Sequence, residues 1–229
     1  MGIGHGRSLA TVRSRGARAA RRLAFLVPRR AHQLADDTED DRYPEIFRFV
    51  ASTLTDAVRG DGTVLSYGCS DGDECFSLRR YLPDARIVGT DVRRDKRRLA
   101  STRNDDPNIA FVPPRRSVLA AAGPYDAVFA MSVLCRWPAT MHRDDCSRIY
   151  PFRRFERAVA RLDALLRPGG LLVIYNANFR FSDTTLAPGY EALRVPGLDD
   201  SGFVHLFSPQ NRKLEDQSYP HSVFRKPAA

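Results

Sequence analysis

The stretch Thr63–Asp91 reads TVLSYGCSDGDECFSLRRYLPDARIVGTD, and the rest of the chain is best read outward from it. Val64 and Leu65 open an apolar run that leads into Gly68-Cys69-Ser70-Asp71-Gly72, a loop of small residues. A helix-like segment follows at 73–81 and is broken by Leu82-Pro83-Asp84. A second apolar run, Ile87-Val88-Gly89-Thr90, ends on Asp91. Strand, tight turn, helix and parallel strand form a unit whose first loop lets a ligand approach the backbone closely. The carboxylate about 20 positions on can take a ribose hydroxyl. The stretch therefore predicts a site for a nucleoside-bearing cofactor.

Around this unit the alternation continues. Ile46, Phe49, Val50, Leu54, Ala57 and Val58 fall at helical spacing behind Pro44, so a helix is expected over 44–58. Residues 93–103 read as a basic helix, 109–112 as a short third strand and 117–122 as a short helix. Tyr125–Met131 is a nearly continuous apolar run, as a strand covered on both faces should be. Phe152, Phe155, Val159, Leu162, Leu165 and Leu166 form one stripe of a helix over 152–166. Pro168-Gly169-Gly170 is expected to stop that helix and turn the chain into a fifth strand at 171–177. Short strands are expected at 190–195, 203–207 and 222–225. The pattern predicts an α/β, doubly wound fold, mainly parallel, with helices on both faces of the sheet.

The chain has 229 residues, 43% of them hydrophobic, and a net charge of +9. Residues 1–35 carry eight arginines and no acid; the remainder holds 28 Lys+Arg against 27 acids. The basicity therefore belongs to an arm, taken as residues 1–41, ahead of a single domain at 42–229. Such an arm suits an anionic partner or none. Asp36–Asp41 is expected to cap the next helix or fold back on the arginines. No run of about 18 apolar residues predicts a transmembrane helix. After Arg21-Arg22 the apolar stretch is too short for an export signal, so a cytoplasmic location is expected. Cys69, Cys75, Cys135 and Cys146 lack paired metal-site spacing; reduced thiols and no metal are expected.

The loop Gly68–Gly72, Asp91 ending strand two, Tyr125-Asp126 opening strand four, and Leu165-Leu166-Arg167-Pro168-Gly169-Gly170 together resemble class I S-adenosylmethionine-dependent methyltransferases. The resemblance covers residues 44–177, and GCSDGDECFSL at Gly68–Leu78 is similar to the cofactor loop of chemotaxis-receptor methyltransferases. Ser66 stands where the family usually has an acid and Ser70 where it has its middle glycine. Asp71 and Glu74 are the carboxylates near enough to compensate for Ser66. The arginine-bearing segment that the chemotaxis enzymes carry before their first helix is not recognisable, so their glutamate-methylating function does not transfer. A nicotinamide-binding domain is the rival reading, but its Gly-x-Gly-x-x-Gly spacing is absent.

The resemblance implies a Rossmann-like class I methyltransferase fold with S-adenosylmethionine as cofactor. It implies that Gly68, Cys69, Ser70 and Gly72 line the methionyl and ribose part, that Asp91 binds the ribose with Val92 beside the adenine, and that Met131 and Ser132 neighbour the methyl group. His142, in the polar connection 136–150, is the candidate general base by its near-neutral pKa. Tyr175, Asn176, Asn178 and His205 are further acceptor-side candidates. The expected reaction is methyl transfer to a hydroxyl, amine or carboxylate of a small-molecule acceptor. Two alternatives stay open: a catalytically inactive cofactor-binding protein acting as an interaction module, and an RNA or protein methyltransferase using the basic arm.

Overall fold

The computed structural model describes residues 31–33, 38–54 and 62–228. Helix α1 spans Pro44–Leu54, and the expected extension through 55–58 lies outside the described residues. Strand β1 (Thr63–Tyr67) leads to α2 (Asp73–Tyr81), β2 (Arg86–Thr90), α3 (Arg94–Arg103) and β3 (Ile109–Val112). Then come α4 (Arg116–Ala122), β4 (Tyr125–Met131), α5 (Phe152–Asp163), β5 (Leu166–Tyr175), β6 (Glu191–Arg194) and β7 (His221–Arg225). The seven strands form one sheet in the order β3-β2-β1-β4-β5-β7-β6. Pairings from β3 through β5 are parallel, and β7 runs antiparallel to both of its neighbours.

Strand alternation sends side chains to two cores. Leu65, Val88, Val128, Ala130 and Leu172 pack under Leu119 of α4 and Phe155, Val159 and Leu162 of α5. Val64, Ile87, Ala127, Phe129 and Val173 pack on the opposite face under Ile46, Phe47 and Val50 of α1 and Leu78 of α2. Every residue of β4 is buried, which is why its sequence shows no polar alternation.

The order of strands reverses between β1 and β4, so the loops leaving their carboxyl ends diverge and open a crevice. That crevice holds the cavity described below.

Three sequence expectations are corrected. Helix α5 ends at Asp163 and β5 already begins at Leu166, so Pro168-Gly169-Gly170 lies inside the strand rather than before it. The register with β4 shifts there, between Tyr125 and Ala127. Pro168 has no N–H to give, and Gly169 (φ 75) turns its own toward the carbonyls of Lys226 and Pro227. Phe203–Phe207 forms no strand; Phe207 makes an isolated bridge with Lys213. Finally, of the acidic stretch Asp36–Asp41, Asp36 and Asp37 lie outside the described residues, while Asp40 and Asp41 face α2: Asp40 pairs with Arg80 at 2.9 Å, and Asp41 accepts from the Tyr81 hydroxyl at 2.8 Å.

All four cysteines are buried and unbridged. Among the described residues, no cluster of His, Cys, Asp or Glu is placed to hold a metal, and no helix is long and apolar enough to cross a membrane.

Candidate active site

A cavity opens at the carboxyl ends of β1, β2 and β4. Gly68, Cys69, Ser70, Asp91, Val92, Met131 and Ser132 all line it, so these positions, expected from the sequence, converge in space. The loop after β1 is shaped by backbone geometry. Gly68 sits at φ 93, and a Cβ on it would lie 2.5 Å from Cγ2 of Val133, so only glycine fits between the two loops. Ser70 also adopts a left-handed conformation (φ 49), which swings its N–H to within 3.1 Å of Oδ2 of Asp91.

Asp91 is fixed from two sides. Its Oδ1 accepts the backbone N–H of Arg93 at 2.8 Å and its Oδ2 that of Ser70, while the Arg97 guanidinium holds its main-chain carbonyl. Burial raises its pKa, and the two backbone donors with Arg97 and Arg93 pull it back. Each carboxylate oxygen keeps a second lone pair for a ligand hydroxyl.

Gly72 does not line the cavity. It precedes α2 at φ 99, and a Cβ there would meet Phe76, Phe111 and Ala100 at 2.9–3.1 Å. Its place is in the packing that seats α2 against β3 and α3. His142 is exposed on the connection between β4 and α5 and is not among the lining residues. Asn178 is buried as a structural pin: its side chain accepts from the N–H of Arg136 at 2.7 Å and donates to the carbonyl of His205 at 2.8 Å.

Other lining residues had little or no sequence signal. Glu74 on α2 accepts from Ser66 Oγ at 2.7 Å, so the serine that replaces the usual acid in β1 positions a carboxylate supplied one helix later. Burial pushes Glu74 up to about 7, opposed by Ser66 and Arg42. Asp71, the other compensating candidate, is turned away into ion pairs with Lys96 and Arg103.

The segment before α1 forms a whole wall, with Ala31, His32, Gln33, Thr38, Arg42 and Tyr43 lining the cavity. The Tyr43 hydroxyl meets Ser132 Oγ at 2.6 Å, and Asn176 Nδ2 donates to the same oxygen at 2.9 Å. Ser132 and Asn176 directly follow β4 and β5, both left-handed at φ 56, an uncommon conformation that these contacts hold in place. Burial raises the Tyr43 pKa, so it remains a phenol. His32 Nδ1 lies 2.6 Å from the Tyr150 hydroxyl. Burial first, then Arg154, Arg136 and Arg161, lowers its pKa to about 4, so the ring is neutral at pH 7.

The profile of the family described as methyltransferase domain matches residues 17–215. The chain belongs to that family. With a 3-2-1-4-5-7-6 sheet, it is a class I S-adenosylmethionine-dependent methyltransferase, as the resemblance implied. No curated protein sequence matches it. Among solved structures, it is similar to the plantazolicin methyltransferase BpumL in complex with SAH, at 15% identity and TM-score 0.39 over 56% of this chain and 45% of that one. It is also similar to the bifunctional kinase-methyltransferase WbdD, at 16% identity and TM-score 0.48 over 91% of this chain and 46% of that one. The chain thus spans less than half the length of these proteins, and likenesses this distant carry no argument about its acceptor.

Proposed function

We propose that this methyltransferase transfers the methyl group of S-adenosylmethionine to a small-molecule acceptor, with the β1–β2–β4 cavity holding the cofactor. The observation that carries the assignment is the placing of Asp91, beyond β2, and Glu74, on α2, in one cavity, whose lining also includes the exposed Glu39 and the apolar Val92, Pro114 and Met131. The donor set suits the cofactor. Asp91 would accept from the ribose hydroxyls, Glu74 would face the amino group, Val92 and Pro114 offer apolar surface to the adenine, and Met131 would lie toward the methyl group. When bound, S-adenosylmethionine supplies a methyl group already activated on a sulfonium.

The protein's own task is then alignment and exclusion of water. Tyr43 and Asn176 fix Ser132 at the end of β4, where the acceptor would approach. His32 is the histidine in the cavity wall, but with a pKa near 4 it offers little drive for removing a proton. The body and the wall residues 31–33 and 38–43 act as one cytoplasmic catalytic unit in this reading.

Calorimetry on the full chain tests the assignment. S-adenosylmethionine and S-adenosylhomocysteine should bind and NADH should not. Asp91→Ala should weaken binding about 10- to 100-fold, the loss of a charge-assisted hydrogen bond. Heat from NADH alone would sink the proposal.

A further inference from the structure

Beside the cofactor cavity runs a groove of about 900 Å³ with five arginines in its walls: Arg148, Arg153, Arg154, Arg157 and Arg161. Four of them belong to α5. Positions 153, 157 and 161 are four apart, and 154 and 161 are seven apart, which stacks them along one side of the helix. Like charges at that spacing weaken a helix. The stripe therefore opposes the element that carries it.

Among the described residues, no acid side chain is built into the groove. Glu156 on the same helix accepts the N–H of Thr185 at 3.2 Å, and Asp145, which neighbours Arg148, pairs with Arg212 at 3.4 Å. Among the described residues, Arg148, Arg153, Arg157 and Arg161 make no ion pair. Arg154 donates to the carbonyl of Ala31 at 2.6 Å and lies over the Tyr150 ring. Residues 1–35 hold no acid, and Asp36 and Asp37 lie outside the described residues.

The groove and the cofactor cavity share a wall residue, His32. Arg161 acts electrostatically on His32 and also on Tyr67, another residue of the cavity wall.

We propose that this groove seats a phosphate group of the methyl acceptor, so that the acceptor spans His32 with its reactive end toward Ser132. This rests on the reading of the β1–β2–β4 cavity as the cofactor site. Guanidinium forks match phosphate and carboxylate oxygens, but one carboxylate has two oxygens to share among several forks. A terminal phosphate brings three oxygens and close to two charges at neutral pH. Apart from His32, no aromatic side chain among the described residues lines the groove for a base to stack on, which favours a phosphorylated small molecule over a nucleic acid.

The test follows the His32 ring by NMR in the full chain, titrated with inorganic phosphate at ionic strength held constant with chloride. Phosphate should shift the His32 resonance saturably and raise its pKa from about 4. Arg157→Gln/Arg161→Gln should weaken that response roughly ten-fold, while S-adenosylhomocysteine still binds as in the unaltered chain and so reports an intact fold. A linear, unsaturable shift, or an equal response in the double variant, would overturn the proposal. So would a single-stranded oligonucleotide that outcompetes a phosphate monoester. Saturable phosphate binding in a chain that ignores both adenosyl ligands would support the anion seat and overturn only the cofactor assignment.

Discussion

Glu74 and His32 stand in the same cavity with pKa values displaced in opposite directions, and each ties stability to pH. Glu74 rises from 4.5 to about 7 on folding. Its neutral form is the one the fold favours, so its contribution is complete below about 4.5 and is lost as pH climbs through about 7. His32 falls from 6.5 to about 4, so its contribution is complete above about 6.5 and is lost as pH falls toward 4. Thermal melts of the ligand-free protein should therefore lose the alkaline decline in Glu74→Gln and part of the acid decline in His32→Gln. A cofactor ammonium reverses the Glu74 preference. Affinity for S-adenosylhomocysteine should rise between pH 6 and 8 in the unaltered chain and stay flat in Glu74→Gln. A flat profile in both proteins would remove Glu74 from the site. Asp91 was legible because it closes an apolar run; Glu74 is one acid among several in a polar helix start, and only the 2.7 Å bond from Ser66 singles it out.

Helix α5 carries two faces with different duties. Phe155, Ala158, Val159 and Leu162 are buried against β4 and β5, and the arginines lie opposite. Phe155→Ala should cost about 3–5 kcal/mol through the cavity it leaves, seen as a fall of roughly 10 °C in the melting midpoint. Arg157→Ala, on the exposed face, should change stability by less than about 0.5 kcal/mol. Equal losses would mean that the arginine face is structural. The apolar stripe of α5 and the runs of β1, β2 and β4 were readable because each has a single buried environment along its length. The start of β5 was not. Pro168-Gly169-Gly170 has the composition of a break, and only the carbonyls of Lys226 and Pro227, nearly 60 residues away, give Gly169 a partner that keeps it in the sheet.

Across the whole molecule, the cavity is closed by chain from far outside the sheet. His32 meets Tyr150 across 118 residues, and Tyr43 meets Ser132 across 89. No periodicity marks residues 31–33 and 38–43 as a wall, since they form no regular element and their partners lie far along the chain. The sequence therefore suggested an arm up to residue 41, whereas Ala31 is only 2% exposed. Among the described residues, the wall starts at residue 31. Removing residues 1–30 should leave affinity for S-adenosylhomocysteine within about two-fold. Removing residues 1–43 takes His32, Arg42 and Tyr43 together, and should speed ligand release at least ten-fold in stopped-flow measurements. Equal release rates for the two truncations would show that the wall does not retain the ligand.

Strand β7 lies between β5 and β6, although it follows both in the chain. During synthesis, β5 leaves the ribosome about 45 residues before its antiparallel neighbour. At roughly 5–20 residues per second, that is several seconds. Until His221–Arg225 emerges, one side of β5 has no ladder partner and β6 has no sheet to join. The parallel half can assemble first, while the last pairing must wait, and until then the chain holds an open, chaperone-accessible edge along β5.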